Sequence, residues 1–225
     1  MSILKNYTKH LALMLSITLI AVMIPIHQTH ATTIMHNGNS VKITEINENK
    51  VRIEENGVIE EIEVIKDSDD KIQKIISTNI TTGVDETIII DSEKHTAYST
   101  LTKETETFSP DEIDVEGEQL LAVGDTHQYK FSFAKIASTS GDISTVTGIA
   151  QILLKQLAVI GVSVTNPLAS IVGMVSTITG VVQLVAGASS KKGLYVITEE
   201  YMRSTTKNGK VYKYLANRVT KIGVY

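Results

Sequence analysis

The feature that most constrains this chain is a long run without charge near its centre. Between Asp142 and Lys191 a single charged residue occurs, Lys155. The run consists mainly of apolar and small residues, and Asn166-Pro167 interrupts it near the middle. Each half is about 20 residues long, enough for one helix to cross the hydrocarbon core of a bilayer. The run must therefore be buried, and whether protein or lipid buries it largely decides the function.

The run predicts a hydrophobic α-helical hairpin over 144–188, with helices at 144–164 and 168–188. Small and polar residues recur at three- and four-residue steps on each helix, so they form a narrow stripe. We interpret the two stripes as the seam along which the helices pack, because small residues let helix backbones approach closely. The seam consists of Gly148, Gln151, Lys155, Gly173, Ser176, Gly180, Gln183 and Gly187. The remaining surface is apolar, which favours burial in lipid or an oligomer and leaves burial in the protein's own core as the alternative.

The first 31 residues have the pattern of a secretory signal peptide. Lys5 and Lys9 precede an uncharged apolar stretch at 11–26, and Thr29-His30-Ala31 offers small residues where a signal peptidase cleaves. The alternative is an uncleaved N-terminal anchor helix. We therefore expect a secreted, extracellular protein, with membrane association if the apolar run inserts. The chain contains no Cys, so it has neither disulfides nor a lipid-modified cysteine.

Charge divides the rest of the chain into two unlike parts. Residues 32–127 contain 8 Lys and Arg against 22 Asp and Glu, a net charge of −14. Residues 128–225 contain 11 Lys and Arg against 3 Asp and Glu, a net charge of +8. The basic part carries the apolar run, so we expect it to be attracted to anionic membrane lipid.

The acidic part reads as a β-rich segment over 32–102, a candidate propeptide, followed by an acidic linker over 103–127. Alternation of apolar and charged residues in Val41-Lys42-Ile43, Val51-Arg52-Ile53 and Ile62-Glu63-Val64 indicates strands with one solvent-facing side. Turn-forming residues separate these strands at near-regular intervals, as in an antiparallel meander.

The last segment predicts a β-hairpin over 194–225. Asn208-Gly209 favours a two-residue turn, because both central positions of that turn need positive φ. The turn pairs Thr206 with Val211, Thr205 with Tyr212, Arg203 with Tyr214, and Glu199 with Arg218. Tyrosine and basic side chains are typical of the boundary between lipid and water. The predicted interfacial residues are Lys191, Lys192, Tyr201, Arg203, Tyr212 and Tyr214, although the tyrosines also fit ordinary sheet packing.

No pattern of catalytic or ligand-binding residues is evident. His36, His95 and His127 are scattered, and the acidic turn at 67–70 lacks the glycine and closing glutamate of a calcium loop. We expect no enzyme activity, no cofactor and no metal. An acidic, secreted chain is also not expected to bind nucleic acid.

The order of signal peptide, acidic strands, apolar helical hairpin and Tyr/Lys-rich end resembles secreted bacteriocin-like proteins of Gram-positive bacteria. The layout is similar to precursors of hydrophobic helical-hairpin toxins, such as the sporulation-delaying toxin family, and to geobacillin-type bacteriocins. The resemblance covers the layout of the whole chain and no specific motif. It implies a membrane-active antimicrobial protein with an immunity protein in the producing cell.

Together these patterns predict an α+β fold with a meander, a helical hairpin and a C-terminal β-hairpin, the last two forming a basic domain over 128–225. The predicted function is a secreted antimicrobial protein whose helical hairpin inserts into anionic membranes, with self-association as a further expectation. The alternative is a secreted or cell-surface binding module with the helical hairpin as its buried core.

Overall fold

The computed structural model describes residues 31–36, 39–108, 114–116, 124–133, 143–186 and 192–225. The predicted signal peptide lies outside the described residues except for Ala31, which begins the first strand. Two antiparallel sheets and two helices make up the described fold.

The larger sheet is a meander of eight strands, each paired with its neighbour in sequence. Its strands are β1 (Ala31–His36), β2 (Asn39–Asn47), β3 (Lys50–Glu55), β4 (Val58–Lys66), β5 (Ile72–Asn79), β6 (Val84–Asp91), β7 (Thr96–Ser99) and β8 (Thr105–Thr107). The alternation read from the sequence is confirmed, since Val41, Ile53 and Ile62 are at most 1% exposed on the inner face. Their charged neighbours Lys42 and Arg52 lie on the outer face.

The smaller sheet has four strands in the order β12-β11-β10-β9. These are β9 (Asp114–Glu116), β10 (Thr126–Ser132), β11 (Gly193–Lys207) and β12 (Lys210–Val224). The predicted register of the β11–β12 hairpin is confirmed at all four pairs. Asn208 and Gly209 form its turn with φ of 53° and 72°, the left-handed conformation that such a turn needs.

Two glycines in the smaller sheet make room for tyrosine rings. Gly223 lies opposite Tyr195, and a Cβ at Gly223 would overlap the tyrosine ring. The ammonium of Lys221 lies 5.7 Å from the centroid of the same ring. A Cβ at Gly193 would overlap the backbone oxygen of Phe131 and the hydroxyl end of Tyr225. Two of the C-terminal tyrosines therefore pack within the sheet.

The helices α1 (Val146–Val159) and α2 (Leu168–Ala186) cover the inner face of the meander. The first helix packs on β3 to β7, and the second contacts β1 to β3 and also β12. The start of α1 is fixed by two oxygens: Glu55 Oε2 accepts a hydrogen bond from Val146 N at 2.9 Å, and Thr145 Oγ1 accepts one from Gly148 N at 3.0 Å. Both satisfy amide groups that a helix leaves free at its N-terminus.

The predicted α+β class is wrong. The fold is β-sandwich-like, with strands making up 57% of the structure, and the described residues contain only two short helices. The first helix ends at Val159 instead of 164, because Gly161 adopts a positive φ of 75° and 162–164 is extended. Part of the segment predicted as a linker also pairs into the sheets, as β8, β9 and the start of β10. In the part of the chain that the structure describes, no helix is long and apolar enough to cross a membrane.

Candidate functional site at the junction of the two sheets

The chain between the two helices joins the two sheets. Val164 N donates a hydrogen bond to Asp70 O in the β4–β5 turn at 3.1 Å, and Thr165 N donates one to Asn217 O in β12 at 3.1 Å. Ser163 and Val164 thus act as a short extended bridge between the meander and the hairpin. The break seen in the sequence is therefore a structural connector between the two sheets.

Asn166 fixes this connector to β12 through its side chain. Its Oδ1 accepts a hydrogen bond from Val219 N at 2.6 Å, and its Nδ2 donates one to Val219 O at 2.9 Å. The side chain is 8% exposed, so it replaces a missing strand neighbour for the backbone of Val219. Two residues further on, Leu168 N donates to Glu48 O at 2.7 Å and connects α2 to the meander.

The acidic turn between β4 and β5 is ordered by its own carboxylates. Asp67 Oδ1 accepts hydrogen bonds from Asp69 N at 2.9 Å and Lys71 N at 3.0 Å. Asp70 takes a positive φ of 58°, which places its carboxylate towards the hairpin. The run of acids is thus a structured turn that presents one carboxylate to the second sheet.

Asp70 binds two side chains of the hairpin through the same oxygen. Its Oδ2 lies 3.2 Å from Arg203 Nε and accepts a hydrogen bond from Tyr214 Oη at 2.5 Å. Burial, together with the hydrogen bond to the Asp70 carboxylate, raises the pKa of Tyr214 to about 12. The tyrosine therefore stays protonated as the donor, and the arginine balances the carboxylate's charge.

A polar groove of about 670 Å³ opens beside this cluster. Its charged lining residues are Glu48, Glu63, Lys66, Asp67, Asp70 and Arg203. Burial lowers the pKa of Lys66 even though Asp70 opposes the shift. The Lys66 ammonium makes no hydrogen bond within the described part of the chain, so it is available to a ligand in the groove.

The hairpin extends beyond the smaller sheet as a two-stranded arm, which we define as Tyr201–Ala216. β10 pairs with β11 only as far as Glu199, so no third strand of the described residues lies beside the arm. Val211, Tyr212 and Met202 are 67%, 50% and 48% exposed. The arm carries four basic residues and no acidic one: Arg203, Lys207, Lys210 and Lys213.

The predicted seam residues on α1 lie inside the protein. Gly148 is buried at the start of the helix, and Gln151 is half-buried. Lys155 is 2% exposed, and its Nζ lies 2.7 Å from Glu106 Oε2 at the end of the meander. The one charge of the apolar run is therefore matched by a carboxylate from the larger sheet.

The seam residues on α2 have different surroundings from one another. Ser176 is fully buried, with its hydroxyl donating to Gly173 O at 2.7 Å, and Gly180 is buried as well. At Gly173 an added Cβ would meet no atom within 4 Å, so a close helix approach does not explain this glycine. The side chain of Gln183, and all of Gly187, lie outside the described residues.

The predicted interfacial residues are divided between two roles. Arg203 and Tyr214 bind Asp70 at the base of the arm, whereas Tyr212 and Lys192 are exposed. Tyr201 is half-buried on the same face as Arg203. Lys191 lies outside the described residues.

The two described histidine side chains lie apart. Nδ1 of His95 lies 3.0 Å from Val159 O at the end of α1, and His127 Nε2 lies 3.3 Å from Glu200 Oε1 under the smaller sheet. Among the described residues no cluster of three or more acids or histidines is placed to hold a metal ion.

Sequence reasoning missed Asp70, Asn166 and Glu106. A buried lysine needs a carboxylate, so Lys155 signalled that a partner exists, but 22 acids in the acidic part were candidates. No local pattern distinguishes Asp70 from Asp67 or Asp69.

Comparison with protein-family models, curated proteins and solved structures found no match.

Proposed function

We propose that this chain is a secreted or cell-surface binding module, without catalytic activity, whose core contains its own two helices. The observation that supports this most is the environment of α1. Thirteen of its residues are buried, and Lys155 is paired with Glu106 inside the protein. The apolar run is thus matched in shape and charge by the meander.

The groove between the sheets is the site at which we expect a small ligand. Its volume of about 670 Å³ lies in the range that small-molecule sites occupy. Most of its charged groups already have partners, while Lys66 offers an ammonium to an acceptor group. A polar ligand with a hydroxyl or carbonyl oxygen fits this lining best, because its four carboxylates outnumber its two basic groups and would repel an anion.

Insertion of the helical hairpin into anionic membranes, the other function that the sequence predicts, stays a prediction. It would require both helices to leave the meander. The inner face of the meander, with Val41, Ile53 and Ile62, would then be exposed to water, at about 1.5–3 kcal/mol for each large apolar side chain. Lys155 would also lose its contact with Glu106 and enter lipid. Placing a lysine at the bilayer centre costs about 2.5–3.5 kcal/mol.

The proposal is tested on the chain from residue 32, purified without detergent. We expect a monomer by light scattering, one cooperative thermal transition, and no release of dye from anionic vesicles. A need for detergent, or leakage of such vesicles, would contradict a binding module with a helical core.

Two matched variants separate core burial from lipid burial. Leu153 on α1 is fully buried, whereas Val181 on α2 is 48% exposed. Leu153→Asp should abolish the cooperative transition, and Val181→Asp should leave it nearly unchanged. Equal tolerance of both substitutions would show that α1 does not lie in the core.

Secretion is tested by N-terminal sequencing of the protein recovered from culture medium. A start at residue 32 is expected if the segment 1–31 is a cleaved signal peptide. The same measurement shows whether the acidic part is removed.

A further inference from the structure

We propose that the hairpin arm Tyr201–Ala216 is a docking surface for an anionic lipid membrane, which it contacts without insertion of the helices. The arm shares only Arg203 with the lining of the groove, so this contact adds a partner to the binding module.

Among the residues that the structure describes, the arm is a two-stranded ribbon with no strand beside it. Seven pairs, from Tyr201↔Ala216 to Lys207↔Lys210, lie beyond the region where β10 supports β11. At about 3.4 Å per residue the ribbon extends roughly 20 Å. An isolated two-stranded ribbon is marginally stable in water, so the anchoring of its base is important.

Asp70 supplies that anchor. Its carboxylate binds Arg203 and Tyr214, which face the meander on one side of the ribbon. The opposite face carries Met202, Val211 and Leu215, and the first two are 48% and 67% exposed. The ribbon is thus held at its base with an apolar face uncovered.

One basic residue lies on this apolar face, and two lie beside the turn on the other face. Lys207 and Lys210 flank the turn, and Lys213 shares the face with Val211. The arm contains no acidic residue to offset them. Apolar side chains that enter the headgroup region, beside lysines that reach lipid phosphates, are the composition of an interfacial membrane contact.

Charge also argues against the arm of a second copy as the occupant. Two arms would bring basic ribbons together, and like charges repel. On the outer face of the meander, the carboxylates of Glu54 and Glu61 are already paired with basic residues of neighbouring strands. Arg52 and Lys50 lie 2.6 Å and 3.0 Å from oxygens of Glu61, and Lys42 lies 3.7 Å from Glu54.

The experiment measures co-sedimentation with vesicles of phosphatidylglycerol and, separately, of phosphatidylcholine. We expect binding to the anionic vesicles only, weakening as salt is added, with no leakage of contents. Each lysine removed should weaken binding about fivefold, so Lys207→Gln, Lys210→Gln and Lys213→Gln together should weaken it roughly a hundredfold.

The matched control removes three lysines elsewhere: Lys42→Gln, Lys74→Gln and Lys103→Gln. It has the same net charge and should bind the anionic vesicles nearly as well as the unaltered chain. Equal loss in both triple variants would overturn the proposal in favour of general charge attraction. Met202→Ser with Val211→Ser should also weaken vesicle binding severalfold.

Binding that survives the arm substitutions, or equal binding to both kinds of vesicle, would also overturn it. So would a dimer in solution that Met202→Ser and Val211→Ser dissociate, because the arm would then be covered by a second copy. Thermal melting of each variant shows that it is folded. Vesicle binding and the monomeric, cooperative state are measured separately, so failure of one leaves the other standing.

Discussion

The ammonium of Lys155 lies 2.7 Å from a carboxylate oxygen of Glu106, across the boundary between α1 and the meander. The lysine side chain is 3% exposed and the glutamate side chain 20% exposed. An ion pair taken out of water contributes little net stability, but separating its members is costly.

Glu106→Gln should therefore destabilise the protein by about 3 kcal/mol, since it leaves a lysine charge in the core. Lys155→Met should cost less, because Glu106 keeps contact with water and the methionine fills the same space. Urea unfolding of the two variants gives the comparison. An equal or smaller loss for Glu106→Gln would show that the pair does not hold α1 on the meander.

Tyr214 should make stability depend on pH in the alkaline range. Its pKa is raised from 10.0 to about 12 in the folded chain, first by burial and then by Asp70. A group whose pKa is raised on folding stabilises fully below the unfolded pKa, and that contribution is lost as pH rises through the folded pKa. The stabilising effect of Tyr214 should thus decline between about pH 10 and pH 12.

Tyr214→Phe is the matched variant for this effect. It should cost about 1 kcal/mol at neutral pH, the usual value of one hydrogen bond at a half-buried site. The difference in unfolding free energy between the two proteins should shrink as pH rises above about 10. A difference that stays constant to the highest pH measured would mean that the hydrogen bond to Asp70 does not stabilise the folded chain.

Substitution by alanine should change the stability of the protein in opposite directions at two glycines. Gly173→Ala should stabilise the protein by about 0.5–1 kcal/mol. Alanine has a higher helix propensity than glycine, and the new Cβ meets no atom within 4 Å. Gly223→Ala should destabilise it by about 1–3 kcal/mol, since the Cβ would displace the ring of Tyr195. Denaturation midpoints measured side by side test both signs.

Asn166→Ala should loosen the junction of the two sheets. It removes both hydrogen bonds to the backbone of Val219 in a buried place, at a cost of about 2 kcal/mol or more. Asn47→Ala is the control, because within the described residues its side chain accepts just one hydrogen bond, from Asn49 N in an exposed turn. Hydrogen exchange at Val219 should quicken in the first variant and stay unchanged in the second.

Local patterns predicted local structure well. Alternation of apolar and charged residues predicted which side chains of β2 to β4 lie on the inner face. Asn208-Gly209 predicted the register that places Arg203 opposite Tyr214. These relations depend on residues close in sequence, where the choice of turn and face is nearly forced.

Contacts between segments far apart in the chain could not be predicted from the sequence. Asp70 meets Tyr214 across 144 positions, and the sequence offers many equivalent acids. The first helix was predicted too long because Val162 and Val164 suit a helix and an extended connector equally. The seam was inferred from spacing alone, and at Gly173 the spacing has no packing consequence.

The order of the strands bears on how the chain folds during synthesis. Every strand of the eight-stranded sheet pairs with the strand just before or after it, so the sheet can assemble as it leaves the ribosome. Its cover, α1 and α2, begins only at Val146. Until those helices emerge, the apolar inner face of the sheet is exposed to water. A partly synthesised chain in this state is prone to aggregation. We expect chains stopped before residue 146 to aggregate or to occupy chaperones, and chains extended past α2 to escape both.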